Sequence, residues 1–328
     1  MATDSLTSAL TGSSIKPDHK VYADFRQLVA MQHLASGFSF LPKQAIHSIL
    51  AGRHSSKLRG RGLNFEELRH YRPGDDIRTL DWKVTNRTKK PHVRVYTEER
   101  ERSVMLLVDQ RISMFFGSQV KMKSVVAAEM AALSIWRTLS VGDRIGALVF
   151  NDQTIKEIRP QRSHNTALQI LHSTVKMNHE LHAEQKGLAN DGQINHALKE
   201  AERLCGHDCL VVIISDMSGW NEETIKRIKH LTLHNDLIVP LVFDALEKEL
   251  PDQQQWVVSD GNSQIAIDAR QSKLKQQFTE GFTSSVDFLQ DELRKYGVPV
   301  IPIDTVQPVQ DQVRKALGQQ GGGTSGGR

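Results

Sequence analysis

The chain has 328 residues, of which 39% are hydrophobic and 24% charged, an ordinary globular composition with ample material for one large core or two smaller ones. Its longest apolar runs, such as Val104 to Val108 and Leu210 to Ile214, fall well short of the roughly 20 residues that a membrane span requires. The first twenty residues lack the basic-then-apolar order of a secretory signal, and two cysteines exclude a disulfide framework, so a cytoplasmic location is expected.

In chain order, residues 1–20 are Ser/Thr-rich and aperiodic and are expected to be disordered. A regular rhythm starts near residue 103. SVMLLVD reads as a buried strand ending in Asp109, followed by a helix from Gln119 to Leu139. GDRIGALVF is a turn and strand, and TIKEIRP alternates as an edge strand does. Helices are predicted over Thr166–His182 and Asn195–Leu204, and CLVVIISD is a second fully apolar strand, ending in Asp216. Helix Glu222–Leu233, strand DLIVPLVFD, helix Lys273–Tyr296, strand VPVIPID and helix Val309–Leu317 complete the series before a Gly-rich tail. Strands alternating with long helices predict an α/β fold, a doubly wound, mostly parallel, Rossmann-like sheet. Pro240, Pro299 and Pro302 place the last two strands towards an edge, because proline cannot donate to a ladder. In such sheets the site lies at the carboxyl ends of the strands, where strand order reverses. Asp109 and Asp216 both end apolar strands and are candidates to face one crevice there.

Net charge is +4, unevenly spread: Arg53 to Arg102 holds 14 Lys/Arg against 8 Asp/Glu. A basic surplus can mark nucleic-acid binding. The interspersed acids and few aromatics favour a solvated, salt-bridged region instead, and a nucleic-acid partner is kept only as an alternative.

The segment from Gly60 to Ser118 carries Gly62, Phe65-Glu66, Leu68-Arg69, Tyr71, Pro73-Gly74-Asp75-Asp76, Arg78, Asp81-Trp82, Arg87 and Glu98-Glu99 ahead of the strand to Asp109. This set closely resembles the bacterial family catalogued as domain of unknown function 58. The resemblance covers most of residues 50–305. It implies a von Willebrand factor A-like domain over residues 101–305, with residues 21–100 as a family-specific segment packed on it and residues 306–328 as a closing helix and tail. Relatives are encoded beside MoxR-type AAA+ ATPases, so the resemblance also implies a role as adaptor or partner of such an ATPase. Within the segment, the Pro73–Asp76 turn is flanked by Arg69, Arg72 and Arg78 on one side of the charge balance and Glu66, Glu67, Asp75, Asp76 and Asp81 on the other. Arginine's planar fork suits two-pronged pairing with carboxylates, and the expectation is a charged network with Trp82 as an apolar anchor.

The fold implied by the resemblance often carries a metal-ion-dependent adhesion site built from Asp-x-Ser-x-Ser, a Thr and a further Asp, all oxygen donors for a hard cation. Here the first motif reads Asp109-Gln110-Arg111-Ile112-Ser113, Gly192 falls at the Thr position and Asp216 matches the last acid. A guanidinium stays protonated and cannot ligate a metal. Two arrangements fit: Arg111 bridges Asp109 and Asp216 in place of the ion, or Arg111 turns to solvent and Asp109, Ser113 and Asp216 keep a weak Mg²⁺ site. There is no Walker A pattern and no GxGxxG between a strand and a helix, and no nucleophile with a paired base is visible. Cys205 and Cys209 read as small core residues, and His172, His179 and His182 as a helix face. The expected role is a non-enzymatic interaction module without a cofactor. A Mg²⁺-dependent ligand-binding domain is the alternative.

Overall fold

The computed structural model describes residues 18–35, 63–73, 75–98, 101–183, 189–216, 218–249, 255–259, 264–268 and 272–317. Helix α1 (Phe25–Ala30) comes first, capped by the Asp24 carboxylate, which accepts from Gln27 N. Strands β1 (Leu63–His70) and β2 (His92–Glu98) pair antiparallel around helix α2 (Trp82–Thr88). Next come β3 (Ser103–Asp109), α3 (Lys123–Ser140), β4 (Arg144–Phe150), β5 (Ile155–Gln161), α4 (His164–His179), α5 (Gln193–Leu204), β6 (Cys209–Ile214), α6 (Glu222–Leu231), β7 (Asp236–Phe243) and α7 (Ala245–Lys248). A hairpin of β8 (Gln255–Ser259) and β9 (Gln264–Asp268), then α8 (Ser272–Arg294), β10 (Val300–Asp304) and α9 (Val309–Ala316) complete the order.

Two compact units result, residues 41–102 and the remainder. The larger is organised by a six-stranded sheet of order β10-β7-β6-β3-β4-β5, parallel throughout except for the edge strand β5. From β3 the chain winds outward to β4 and β5, then returns to the other side of β3 as β6. The reversal point therefore falls between β3 and β6, and the ends of these neighbours form the crevice. As expected, β10 is an edge strand and β7 lies next to it, with Pro240 opposite Ile301.

Strand periodicity divides the core. Val104, Leu106 and Val108 go to one face with Val126, Met130, Leu133 and Trp136 of α3 and Ile170 of α4. Met105 and Leu107 go to the other, with Ile194, Leu198, Ile228 and Leu289. Each such fully buried side chain contributes on the order of 1.5–3 kcal/mol, and residues 104–108 are all buried because both faces are covered.

Several expectations change. The segment 21–100 does not behave as one piece, since residues 21–35 belong with the sheet unit. Ala23, Leu28, Met31 and Ala35 enter its core, and Trp136 Nε1 donates to the Leu28 carbonyl at 2.9 Å. The β1–β2 and β8–β9 hairpins are additions to the expected elements. Helix α3 starts at Lys123 instead of Gln119, because residues 117–121 fold back so tightly that a Cβ on Gly117 would meet Lys121 O at 2.3 Å. Residues 1–17 and the Gly-rich tail lie outside the described residues.

Candidate functional site

Each parallel strand of the large unit hands its chain to a loop through an aspartate at or just past its end: Asp109, Asp152, Asp216, Asp244 and Asp304. At the β3/β6 crevice the first and third of these meet two cations. Arg111 Nε lies 3.0 Å from both Asp109 oxygens, and Nη2 lies 2.7 Å from Oδ2. The same Nη2 is 3.7 Å from Asp216 Oδ1 and donates to the Ser218 carbonyl at 3.0 Å. The guanidinium lies against the Phe150 ring, 5.9 Å from its centroid, within cation–π range. Lys123, at the start of α3, donates from Nζ to Asp216 Oδ2 at 2.9 Å and to Glu247 Oε1 at 2.7 Å. Arg111 is 1% exposed, Lys123 3%, Asp109 0% and Asp216 5%, so the group is screened from solvent.

Neighbouring donors complete the acids. Asp109 also accepts from Arg111 N at 2.9 Å and Ser215 Oγ at 2.6 Å, and Asp216 from Ser218 N at 2.9 Å. Asp152 accepts from Ile112 N at 2.7 Å and Asn190 N at 2.9 Å, tying two loops together. Asp244 accepts from Ser118 N, Leu246 N and Thr305 Oγ. The acids of the crevice then diverge. Burial pushes the Asp109 carboxyl above the ordinary carboxylate range, and Arg111 pulls only part of the way back. Burial also raises Asp216, but Lys123 and Arg111 together bring it below the ordinary value. Both cations hold their protons more tightly than usual: burial opposes this, and the neighbouring carboxylates overcome it. Among the described residues, each acid of the cluster thus faces a cationic nitrogen, and the Ser215 hydroxyl donates to Asp109.

The remaining sequence candidates fall elsewhere. Ser113 lies in the short turn Ile112–Met114, and its buried Oγ has no hydrogen-bond partner among the described residues. Gly192 is exposed at the start of α5, outside the buried cluster, and its N–H donates to Asn190 Oδ1 at 3.1 Å. The loop's link to the crevice passes through Asn190 and Asp152 instead. Sequence reasoning missed Lys123, Asp152, Ser215 and Glu247. Lys123 left a signal, since a lysine in the first helical turn opposes the helix dipole and so asks for an acidic partner.

In the smaller unit, Arg69 grips Asp75 two-pronged at 2.7 and 2.8 Å, and Arg72 N donates to Asp75 at 2.8 Å. The Arg69 guanidinium is the main reason that the Asp75 carboxyl is lowered to about 2. Asp76 accepts from Arg78 N at 3.0 Å. Asp81 caps α2 through Lys83 N and Val84 N and pairs with Arg94 at 2.8 Å, a partner that sequence reasoning also missed. Tyr71 N donates to the Pro91 carbonyl at 2.9 Å. Gly74 lies outside the described residues. Trp82 is 66% exposed and so is no buried anchor: as the first residue of α2 it faces outward while Asp81 holds the turn. Cys205 and Cys209 are buried in the core and form no disulfide, as expected. His179 Nε2 meets the Ala23 carbonyl at 2.8 Å. Among the described residues, no three His, Cys, Asp or Glu side chains are placed to hold a metal ion, and no helix is long and apolar enough to cross a membrane.

Strand order and the aspartate-tipped crevice define a doubly wound α/β protein, the fold class expected of a von Willebrand factor A-like domain. The family model described as protein of unknown function DUF58 matches residues 67–287, and the chain belongs to that family. Uncharacterized protein Mb1516 of Mycobacterium bovis and uncharacterized protein Rv1480 of Mycobacterium tuberculosis are each 29% identical over 268 residues, covering 80% of this chain and 81% of theirs. Among solved structures, an aerotolerance-related membrane protein from Bacteroides fragilis aligns at 16% identity and TM-score 0.39 over 67% of this chain and all of its own. A von Willebrand factor type A protein from Catenulispora acidiphila aligns at 9% identity and TM-score 0.33 over 68% of this chain and 43% of its own.

Proposed function

We propose that this protein is a non-enzymatic interaction module, an adaptor or partner of a MoxR-type AAA+ ATPase, whose adhesion-type crevice works without a metal. The observation that carries the reading is the position of the Arg111 and Lys123 nitrogens, 2.7–3.7 Å from the two acids that would ligate an ion. A hard divalent cation needs a set of converging oxygens. Here Asp109 and Asp216 already face cationic nitrogens, Gly192 offers no side-chain oxygen, and Ser113 Oγ hydrogen-bonds to neither acid. The residues present therefore do not fit Mg²⁺, and like-charge repulsion from two buried cations opposes its entry. In place of an ion the buried cluster fixes the loops around it, so the surface those loops present is pre-organised, which lowers the ordering cost of docking a protein. The ATPase as partner class follows from the family resemblance.

The test is capture of a purified MoxR-type AAA+ ATPase from the same organism by the immobilised chain, with and without ATP and with and without EDTA. Retention that EDTA leaves unchanged is the expected result. Retention abolished by EDTA and restored by Mg²⁺ in the absence of nucleotide would favour the metal-dependent alternative, and no retention in any condition would remove the ATPase as partner.

A further inference from the structure

Gln110 stands between Asp109 and Arg111, the two residues of a buried ion pair of the crevice, yet its side chain turns away from them into the protein. There Gln110 Nε2 donates to the Ser124 carbonyl at 3.0 Å, and Gln110 Oε1 accepts from Asn178 Nδ2 at 3.0 Å. Asn178 Oδ1 in turn accepts from Ala23 N at 2.7 Å. Gln110, Ser124 and Asn178 are all 0% exposed. A backbone donor at one end and a backbone acceptor at the other fix both amide orientations, so neither amide can flip without stranding a buried polar group. The relay thus joins residue 23 to Gln110, next to Arg111, and to Ser124, next to Lys123.

Two further contacts converge on the same loop from the same segment. Met122 N donates to the Lys20 carbonyl at 2.9 Å. The Tyr22 ring packs on Phe115 at 5.8 Å between centroids and edge-on to His179 at 5.5 Å, while the Tyr22 hydroxyl reaches the Leu181 carbonyl at 3.1 Å. Residues 20–23 therefore touch the loop that leaves Arg111, the residue that precedes Lys123, and the relay that lies behind both.

We propose that residues Lys20–Ala23 form a regulatory strap: lifting it loosens both cationic arms of the Asp109–Arg111–Asp216–Lys123 cluster. A protein that grips the amino-terminal segment would then alter the crevice from behind. The regulatory meaning rests on the docking reading above; the coupling itself does not. Because coupling between two sites is reciprocal, breaking the cluster must also loosen the strap. The two directions are separate measurements.

Amide hydrogen exchange on the full chain measures them without any partner, which separates a failure of coupling from a failure of docking. Ala23→Pro removes the N–H that donates to Asn178 Oδ1 and also fixes the backbone at 22–23, and Tyr22→Ala strips a half-buried ring, which keeps a folded variant available if the first does not fold. Exchange at Ile112, Met114, Phe115 and Met122 is expected to rise at least about tenfold in either variant, with Leu106 in β3 unchanged. Arg111→Met is expected to speed exchange at Ala23 similarly. A rise confined to α1 and α4, a uniform rise that includes Leu106, or no rise at all would overturn the proposal.

Discussion

Arginine and aspartate pair in both units of this molecule, and the two settings differ in what the pair is worth. In the sheet unit, Arg111 and Asp109 have side chains 1% and 0% exposed. In the hairpin unit, Arg69 and Asp75 are 35% and 19% exposed, and Arg94 and Asp81 47% and 7%. In each case two guanidinium nitrogens meet the carboxylate at 2.7–3.0 Å. In water the competing solvent makes such a pair nearly neutral. Away from water the pair gains little over an apolar replacement, but removing one partner strands the other. A buried pair therefore constrains which side chains can stand at its positions, and an exposed pair chiefly shapes a local turn.

The contrast between buried and exposed pairs is largest at Arg111. Arg111→Ala leaves Asp109 and Asp216 buried with a cation removed, and stability in urea denaturation at pH 7 is expected to fall by about 3–5 kcal/mol. A loss below about 1 kcal/mol would place this pair in the same class as the exposed ones. Lys123→Met comes next, at about 2 kcal/mol, because Asp216 keeps Ser218 N and the nearby guanidinium while losing one charge-assisted bond. Removal of the Arg69 side chain is expected to shift the urea midpoint much less than either.

The smallest effect depends on pH. Asp75 is lowered to about 2 in the folded chain, so its contribution to stability is complete above the ordinary carboxylate pKa near 4. That contribution is lost as pH falls from about 4 through 2. Wild type and Asp75→Asn should therefore differ by a constant amount from pH 7 to about 4.5 in denaturant titrations and converge below. Convergence already at pH 6 would mean that Arg69 does not hold the carboxylate. The crevice gives no such simple profile, since Asp109 and Asp216 move in opposite directions and their proton linkages oppose one another.

Much of the sheet unit was legible in the sequence because its strands are buried on both faces. SVMLLVD and CLVVIISD are continuous apolar runs, each strand-sized and closed by an acid, and too short for a buried helix. The hairpins were not legible: β1 reads Leu-Asn-Phe-Glu-Glu-Leu-Arg-His and carries a register shift between Phe65 and Glu67, which breaks the alternation that would reveal it. The residues of the site divided in the same way. Asp109, Arg111 and Asp216 stood out because they end strands or replace an expected ligand. Lys123 and Glu247 come together from positions 124 residues apart, and only the sheet's winding brings them to one place. Gln110 was overlooked because it lies between two charged residues, and its role is visible only from the far end of its hydrogen bonds.

The nature of the crevice turns on whether two fixed cations have taken the place of an ion. Isothermal titration of Mn²⁺ into the wild-type chain at neutral pH tests this directly. The expected trace is flat into the millimolar range, with wild type and Asp216→Asn indistinguishable. Saturable micromolar binding that Asp216→Asn abolishes would show that the acids still hold a metal, and the metal-free crevice would have to be abandoned.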